Sequence, residues 1–362
     1  MLNYPKVAII YLSYHCEPFL ERAIEAFKKL NYPRDRWSII VVDNLHPNYG
    51  SSASFIKNNL LVLSENLLPK IIFLSQEKNT GFAEGHNIGT RWALENNFDY
   101  VFFHNQDGYM APNALSELVG VMEDDKQIGV AQSLILLYPE INLINTSGNK
   151  LHYLGFGYCG DYRKKVSDYN LKNKEISYAS GAAMMLRADL LKQYGLLDED
   201  FFSYHEDLEY SLRLRMLNYK IVLAPVSIFY HEYEFNRNST KFYYAERNRF
   251  GLWFMYFKWP TLLLLLPIEL VVEFGLLLFA LKNGWIKQWA KVYWYWLQPS
   301  NWKFWWKKRI KIQTMRLLKK DKDILQFAEG KIEFEAIDGL LLKVGNLFLN
   351  LYWQIIKRLI FW

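Results

Sequence analysis

The first half of the chain alternates short apolar runs with stretches whose apolar residues recur at helical spacing. The apolar runs predict buried strands at Val7–Leu12, Ser38–Val42, Ile71–Leu74 and Tyr100–Phe103. The intervening stretches predict helices at Pro18–Leu30, Phe82–Asn96 and Ala111–Glu123. Strands that alternate with helices are typical of a mostly parallel sheet covered by helices on both faces. We therefore expect an α/β, Rossmann-like fold.

The pattern becomes less regular between residues 130 and 235 and changes in kind after about residue 250. The irregular part predicts a helix near Glu206–Leu217, a strand at Lys220–Ala224 and a further extended segment at Ser227–Glu234. Beyond it the chain is apolar, rich in tryptophan and basic. We expect a catalytic domain at residues 1–250 and a helical, membrane-associating region at residues 251–362.

Three features of the second region predict contact with a membrane. Thr261–Leu281 is long enough to span a bilayer, but it contains Glu269 and Glu273, which favour a shallow or re-entrant helix. Seven of the 13 tryptophans lie between residues 285 and 306, and residues 303–320 hold eight lysines and arginines without an acid. From residue 340 onward the polar side chains form one narrow stripe. An anionic membrane surface is the predicted partner, and a helical oligomer interface is the alternative.

Composition narrows the class of protein. With 51% hydrophobic residues in 362, the chain can build a substantial core, and disorder is excluded as its main state. The two cysteines, Cys16 and Cys159, form no CxxC motif, which favours a reducing compartment. No signal peptide is recognisable, so we expect the mature chain to begin at Met1.

Polar residues follow the predicted strands, where ligands bind in parallel sheets. Tyr14 follows the first strand, Asp43 the second, and Asn105–Asp107 the fourth. Asp43 is suited to accept a hydrogen bond from a nucleobase or ribose, or simply to cap a turn. Asn105 and Asp107 present oxygens at alternate positions, which suits a hard divalent cation, with a type I turn as the alternative.

Three further segments are candidates for chemistry. The glycines of NTGFAEGHNIG, residues 79–89, would let backbone approach a phosphate or let a helix pack closely on the sheet, and their spacing is not GxGxxG. The acids Glu206, Asp207 and Glu209 would begin a helix, where negative charge is favourable, or supply a general base. His231 follows an apolar run and would be a ligand or a structural residue.

Taken in order, these segments resemble the family 2 glycosyltransferases, which have the GT-A fold, and above all their bacterial rhamnosyltransferase-like branch that builds cell-surface polysaccharides. The resemblance covers about residues 5–250. The motifs that carry it are YLSYHCEPFLERAI, IIVVDN, NTGFAEGHNIG, HNQDGYM, SGAAMMLR and LDEDFFSYHEDLEYSLRLRMLNYKI, followed by the His231 segment and YYAERN.

The resemblance implies a role for each matching residue. Asp207 would be the catalytic base, with Glu206 beside it, and Asp107 and His231 would hold a divalent cation, Mg²⁺ or Mn²⁺. Of the remaining matches, Tyr14 and Asp43 would hold the nucleobase, and Arg247 would lie near the diphosphate. Ser180 and Gly181 would lie beside the donor and acceptor sugars. The full set that would line the nucleotide-sugar site is Tyr14, Asp43, Asn79, Gly81, Asn87, Asn105, Ser180, Gly181 and Arg247. The family's first DxD acid is Asn105 here, which offers oxygen without charge and leaves the identity and affinity of the metal open.

The implied reaction is a single displacement on the anomeric carbon of a nucleotide-sugar, which inverts its configuration. The expected acceptor is a lipid-linked or membrane-proximal glycan at the cytoplasmic face, and no nucleic acid is expected as a partner. A nucleotidyltransferase is the alternative enzyme, but its basic glycine-rich first turn is replaced here by SYHCEP. A non-catalytic membrane scaffold is the alternative of another class, and Asp107, Glu206 and Asp207 argue against it.

Overall fold

The fold is described from a computed structural model of the chain, which covers residues 4–169, 172–233, 239–317, 320–333 and 340–362. Its strands are β1 (Val7–Ser13), β2 (Trp37–Asp43), β3 (Ile71–Ser75), β4 (Tyr100–Asn105), β5 (Gly108–Met110), β6 (Ile128–Leu137), β7 (Ile144–Thr146), β8 (Lys150–His152), β9 (Gly157–Tyr158), β10 (Lys174–Glu175), β11 (Ala183–Arg187), β12 (Lys220–His231) and β13 (Ala328–Glu329). Its α-helices are α1 (Leu20–Lys28), α2 (Ala53–Asn59), α3 (Gly81–Glu95), α4 (Ala114–Asp124), α5 (Ala188–Tyr194), α6 (Glu206–Met216), α7 (Ser239–Tyr256), α8 (Trp259–Lys282), α9 (Ile286–Leu297), α10 (Pro299–Met315), α11 (Asp321–Leu325) and α12 (Leu340–Leu359).

The main sheet is mixed, with parallel pairings throughout its β4-β1-β2-β3 half and both parallel and antiparallel pairings in the other half. Its order is β10-β12-β6-β11-β4-β1-β2-β3, with β5 paired to β12 and β7 to β6. The pairs β4–β1, β1–β2 and β2–β3 are parallel, as is β6–β12, whereas β11 runs antiparallel between β4 and β6. Every residue of β1 and β2 is buried, as expected for parallel strands covered on both faces. The predicted α/β class is confirmed.

Helices cover both faces of this sheet because successive strand residues point to opposite sides. Val7, Ile9 and Tyr11 pack with α1, α2 and α4 in one core. Ala8 and Ile10 pack with α3, α5 and α6 in the other. The strands and helices predicted for the first half are thus all present, with ends shifted by up to about three residues, an ordinary uncertainty for boundaries read from sequence.

One segment differs from the sequence prediction. Lys220–Ala224 and the beginning of Ser227–Glu234, predicted as two segments, form the single strand β12, whose register with β6 shifts between Ala224 and Ile228. Pro225 lies inside this irregularity, and a proline has no N–H to donate to a ladder. The strand therefore continues past a proline that made the sequence look interrupted.

The C-terminal helices share a core with the first region. The predicted boundary at residue 250 falls inside α7, and α7, α8, α10 and α12 enclose one apolar cluster together with Phe201 and Leu208. Strand β13 pairs in parallel with β8, extending the small sheet β13-β8-β9. The C-terminal helices therefore pack against the segments around α6.

Candidate active site

The carboxyl ends of β1, β2 and β4 lie side by side at one edge of the sheet. Ser13 is paired with Asp43, and Leu12 is paired with Asn105. The residues that follow these strands therefore converge, as expected for parallel neighbours. Tyr14, Asp43 and Asn105, singled out from the sequence, are brought together by this register.

Asp43 is fully buried and held by its own neighbours. Its Oδ1 accepts from Ser13 Oγ at 3.0 Å and from the Ser52 N–H at 3.4 Å, and its Oδ2 accepts from Ser51 Oγ at 2.5 Å. These donors from the protein itself satisfy the buried carboxylate, as a turn-organising acid would require. Asp43 therefore fixes the loop after β2, and contact with a nucleobase stays a prediction.

Gln106 joins the end of β1 to the turn after β4, a role that the sequence did not indicate. Its Oε1 accepts from the Tyr14 N–H at 2.6 Å, and its Nε2 donates to the Tyr14 carbonyl at 3.0 Å. Burial raises the pKa of the Tyr14 hydroxyl, and a hydrogen bond with Asn79 opposes that rise. Tyr14, Asn79 and Gln106 thus form one contiguous patch beside Asp107.

The three glycines of the segment 79–89 do two different things. Gly81 has φ +82°, and a Cβ there would lie 2.5 Å from the Phe202 carbonyl, which accepts from the Phe82 N–H at 2.7 Å. A Cβ at Gly85 would lie 2.6 Å from Leu12, and one at Gly89 would lie 2.7 Å from Ile10. The last two glycines therefore serve close packing of α3 on the sheet, and only Gly81 lies at the loop itself.

Asn105, Asp107 and His231 converge on one point. The Nε2 atom of His231 lies 3.0 Å from Asp107 Oδ1 and 3.3 Å from Asn105 Nδ2. On its other side the His231 ring contacts Asn145 Oδ1 through Nδ1 at 2.9 Å. Burial raises the pKa of Asp107, but the charge and hydrogen bond of His231, together with hydrogen bonds from the Asp107 N–H and from Asn105, lower it by more, and the net shift is downward. Asp107 is therefore held as a carboxylate.

This donor set fits a divalent cation that is completed by a ligand. A carboxylate, an amide and an imidazole lie within hydrogen-bond range of one another, and Asn145 accepts from the far side of the imidazole ring, as the partners that orient metal-binding histidines do. Within the described ranges, no three histidine, cysteine or acidic side chains cluster as a self-sufficient metal site. Mg²⁺ and Mn²⁺ are commonly held by one or two side chains plus phosphate oxygens, which is what these residues allow.

Asp207 lies in the first turn of α6 with its carboxylate on two backbone donors. Its Oδ2 accepts from the Gly181 N–H at 3.0 Å, and its Oδ1 from the Leu208 N–H at 2.7 Å. The side chain is partly exposed, and desolvation exceeds the effect of the hydrogen bonds, so that the pKa of Asp207 rises to about 6. A carboxylate with this pKa is a better proton acceptor than an ordinary aspartate.

Glu206 differs from its neighbour. It is buried, and in the described part of the chain its Oε2 has no hydrogen-bond partner. Burial, with the Asp207 charge as a second cause, raises the pKa of Glu206 well above its usual value. Its charged form is therefore disfavoured, which makes Asp207 the stronger candidate for a carboxylate base at neutral pH.

The loop 180–182 connects Asp207 to the cluster of Asn105, Asp107 and His231. Gly181 donates to Asp207, and the carbonyl of the next residue, Ala182, accepts from the Asn105 N–H at 3.1 Å. Ser180 is fixed through its N–H to Gln132 Oε1 at 2.8 Å, another contact that the sequence did not indicate. The two halves of the candidate site are therefore joined by adjacent peptide units.

Two residues expected at the nucleotide site have other partners. The Asn87 amide donates to the Leu197 carbonyl at 2.9 Å and accepts from the Leu197 N–H at 3.1 Å, so it fastens α3 to the following loop. Arg247 donates to the carbonyls of Asp200 and Phe201 at 2.7 and 3.0 Å. In this structure both side chains hold the loop 197–201 rather than face the strand ends, and a contact with a nucleotide stays a prediction for each.

Asn248, beside Arg247, holds a strained loop directly before Glu206 and Asp207. Its Nδ2 donates to the carbonyls of Phe201, Ser203 and Tyr204 at 2.9, 3.0 and 2.7 Å. In this loop Phe202, Tyr204 and His205 have φ values of 63°, 70° and 71°. Left-handed backbone at non-glycine residues persists only where the surroundings enforce it, and it is concentrated near functional sites. The RN pair of YYAERN is a visible sequence signal for this clamp.

Comparison with known proteins agrees with this architecture. The sequence profile of glycosyl transferase family 2 matches residues 8–195. The chain is 23% identical over 200 residues to the low-salt glycan biosynthesis hexosyltransferase Agl10 of Haloferax volcanii, covering 50% of this chain and 59% of that protein. It is 23% identical over 261 residues to the probable glycosyltransferase YdaM of Bacillus subtilis, covering 69% of this chain and 56% of that protein. The chain thus spans little more than half the length of these relatives.

Solved structures share the fold. The mannosyltransferase PcManGT of Pyrobaculum calidifontis, in complex with GDP-Man and Mn²⁺, superposes with a TM-score of 0.51 at 14% identity, covering 88% of this chain and 89% of that one. GalNAc-T7 with UDP, GalNAc and Mn²⁺ gives a TM-score of 0.55 at 14% identity, covering 70% of this chain and 48% of that one. At these identities the likeness concerns the fold, and it confirms the GT-A architecture.

Proposed function

Because the chain belongs to glycosyl transferase family 2, we propose that it transfers a hexosyl or deoxyhexosyl unit from a nucleotide-sugar to an acceptor hydroxyl with inversion. The observation that carries the proposal is the connection between Asp207 and the Asn105–Asp107–His231 cluster through Gly181 and Ala182. It gives one continuous surface with a proton acceptor at one end and cation-binding groups at the other. Such a surface suits a sugar whose two reacting bonds lie between them.

Asp207 is proposed as the general base. The acceptor oxygen attacks the anomeric carbon, its proton passes to the Asp207 carboxylate, and the bond to the nucleoside diphosphate breaks with the electron pair on the departing phosphate oxygen. One displacement on one carbon inverts its configuration. The Gly181 and Leu208 N–H groups keep the carboxylate oriented during this step. General base catalysis typically contributes roughly 10²–10⁴-fold.

The residues after β4 and β12 are proposed to bind the departing diphosphate. Asp107 and His231 would hold a divalent cation, with Asn105 beside them, and a bound cation would neutralise negative charge on the leaving group. The two structural neighbours named above contain Mn²⁺ together with a nucleotide or nucleotide-sugar, which makes Mn²⁺ the first metal to test. The hexosyltransferase relative acts in glycan biosynthesis by its name, which supports a glycan acceptor.

The acceptor is proposed to be lipid-linked or membrane-proximal, at the cytoplasmic face of a membrane. Among the described residues, α8 alone is long and apolar enough to cross a bilayer. Its most apolar stretch is only 17% buried, unlike the core helix of a soluble protein. The tryptophan-rich α9 and α10 follow it directly, and indole side chains favour the headgroup level of a bilayer.

Donor binding and transfer test the proposal together. We expect one of the UDP-, GDP- or dTDP-sugars to raise the melting temperature in the presence of Mn²⁺ or Mg²⁺, and to release its nucleoside diphosphate when an acceptor is added. Asp107→Ala should abolish the metal-dependent part of donor binding, and Asn105→Ala should weaken it less, because the amide carries no charge.

Two results would contradict the proposal. Equal donor affinity in the wild type and in Asp107→Ala, with metal present, would remove the cation role from Asp107. Donor binding without transfer to any glycan or lipid-linked acceptor would favour a non-catalytic scaffold.

A further inference from the structure

Helix α8 exposes apolar side chains and buries its acidic ones, the reverse of a surface helix in a soluble protein. Six of its large apolar side chains are 44–65% exposed and recur every three or four residues, which places them on one stripe. They are Leu263, Leu266, Leu270, Phe274, Leu278 and Leu281. The two acids of the helix, Glu269 and Glu273, point the other way, into the protein. Water is a poor medium for such a stripe, so its exposure indicates another contact.

The inward side of α8 is fixed by a buried cation. Arg249, on α7, is fully buried, and its guanidinium lies 2.6 Å from Glu269 Oε1 and 2.9 Å from Glu246 Oε2. It also contacts Glu273, which accepts in addition from the Tyr293 hydroxyl of α9. Breaking such a network would leave uncompensated buried charge. The acids that looked costly for a membrane helix therefore never face lipid, and α8 cannot be surrounded by lipid on all sides.

Helix α12 repeats the inversion beside α8. Its exposed apolar side chains again fall on one face, and they are Val344, Leu347, Phe348, Leu351, Ile355 and Leu359. On the inward side, Asn346 accepts from the Ile332 N–H at 2.7 Å and donates to the Ile332 carbonyl at 2.8 Å. The Tyr352 hydroxyl of α12 donates to the Leu264 carbonyl of α8. The two exposed stripes therefore belong to neighbouring helices, and we name them together the α8–α12 face.

The charge of the adjoining helices indicates which partner covers this face. Residues 274–320 contain eleven lysines and arginines and no acid. Among them Lys282, Lys287, Lys303 and Lys307 are exposed, as are Trp294 and Trp302. Anionic headgroups would complement this charge, and tryptophan favours the headgroup level. A second copy of the chain would instead bring the same positive excess towards it.

We propose that the α8–α12 face lies in one leaflet of an anionic membrane, parallel to its plane, and that α8 does not span the bilayer. The proposal rests on the membrane location proposed above and specifies its form. The apolar stripes enter the acyl region, the Arg249 cluster holds α8 against the catalytic domain, and the lysines of α9 and α10 meet the headgroups. An active site carried this way remains on one side of the membrane, next to acceptors anchored in the same leaflet.

The first test is co-flotation of the full chain with phosphatidylcholine–phosphatidylglycerol vesicles. Leu270→Glu combined with Leu351→Glu places a charge at the middle of each stripe and should lower the vesicle-bound fraction by about tenfold or more. Val226→Glu is the matched control, since Val226 is an apolar side chain of comparable exposure, 54%, on β12. Because all three positions are exposed, the variants should keep the wild-type melting temperature and its shift by donor.

The second test asks whether α8 crosses the membrane. Trp259→Cys and Lys282→Cys, at the two ends of α8, are made separately in a Cys159→Ala background, where the remaining Cys16 is buried. The proposal expects a membrane-impermeant maleimide to label both ends from outside the vesicles. Protection of one end would overturn it in favour of a span. Unchanged flotation of the double glutamate variant would show that the α8–α12 face does not bind the membrane. A wild type that does not float, and that forms a dimer which the double variant dissociates, would show that this face is a dimer interface instead. Donor binding, measured in parallel, tests the enzymatic proposal separately.

Discussion

The backbone N–H of Gly181 donates to Asp207 Oδ2 at 3.0 Å. The loop passes so close to α6 that a Cβ at residue 181 would lie 3.6 Å from the Asp207 Cβ and 2.9 Å from the Phe82 ring. Gly181 is therefore required for the approach of the loop that also reaches Asn105 through Ala182. The contact orients Asp207 without neutralising it, which is what a positioned base needs.

Replacement of Asp207 by asparagine should reduce turnover by about 100-fold or more while donor affinity stays near the wild-type value. Asparagine keeps the size and can still accept from Gly181 and Leu208, but it cannot take a proton. The measurement is transfer rate alongside donor titration.

The matched control for this variant is Asp189→Asn. Asp189 is an exposed acid in the first turn of α5 whose Oδ1 accepts from the next N–H at 2.9 Å, as Asp207 does. Glu209, another acid in the first turn of α6, is unsuitable as a control because it is buried, pairs with Arg213 and accepts from Tyr256. If Asp207→Asn keeps most of its turnover, the proton acceptor lies elsewhere, and Glu206 is the next residue to test.

The pKa of about 6 for Asp207 predicts opposite effects of pH on activity and on stability. As the proposed base, Asp207 must act as a carboxylate, so kcat/KM should rise with pH through about 6 and then level off. The folded-state pKa lies above the ordinary value of 3.8, so the native state binds this proton more tightly than the unfolded state does. Its stabilising contribution is complete below about pH 4 and is lost as pH rises through about 6.

Comparing the free energy of unfolding of the wild type with that of Asp207→Asn isolates the contribution of Asp207 ionisation to stability. The variant should be the more stable protein at pH 7.5, and the difference should shrink as the pH approaches 4, in urea titrations at each pH. A wild type that is the more stable protein at pH 7.5 would show that ionised Asp207 is stabilising, contrary to the raised pKa.

Asn145 is expected to position His231 for the cation. Its Oδ1 faces the ring Nδ1 at 2.9 Å, which keeps the proton on Nδ1 in the neutral ring and leaves Nε2 available beside Asp107. Asn145→Leu should weaken Mn²⁺ binding by about 10- to 100-fold, as loss of such partners does elsewhere. Asn145→Asp keeps the acceptor and should bind Mn²⁺ nearly as the wild type does.

The readout is a Mn²⁺ titration in the presence of donor, measured by calorimetry. Equal Mn²⁺ affinity in Asn145→Leu and the wild type would mean that packing alone holds the His231 ring. Equal loss in both Asn145 variants would mean that the amide N–H, not the oxygen, is the group required.

Asn248→Ala should destabilise the fold and lower turnover together. The change removes the Asn248 donor from the Ser203 and Tyr204 carbonyls and one of the donors from the Phe201 carbonyl, which costs on the order of 1–3 kcal/mol. The same loop carries the Phe202 carbonyl, which accepts from the Phe82 N–H at the start of α3, so a shift of the loop should disturb this contact as well. Asn59→Ala is the control, because Asn59 is exposed and donates to a single carbonyl of its own helix at 2.9 Å. Wild-type turnover in Asn248→Ala would show that the loop keeps its shape without the clamp.

Local pattern was sufficient for the elements and for the positions of the strand-end residues. The runs VAIIYL and SIIVV are buried whichever neighbours they pair with, so their strand character and the edge location of Tyr14 and Asp43 follow from the sequence. The ordered motifs were likewise sufficient for the family, which the match at residues 8–195 confirms.

Only the tertiary structure showed which side chains position the candidate site residues by holding them in place. Gln106, Gln132, Asn145 and Asn248 act on residues from 44 to 92 positions away, and nothing in a local pattern encodes such pairings. The same limit applies to Asn87 and Arg247, whose motif positions fit a nucleotide site while their side chains bond the loop 197–201.

Tertiary structure also decided the direction of the amphipathic helices. The polar stripe of α12 and the acids of α8 are visible in the sequence. Whether such a polar side faces solvent or the protein interior depends on the neighbouring elements, which the sequence pattern does not show. Arg249 and Ile332 supply partners on the inner side, which turns the apolar faces outward. Hydrophobic periodicity fixes which residues share a face, whereas the balance between a buried, paired polar group and an exposed one depends on partners that only the folded chain brings into contact.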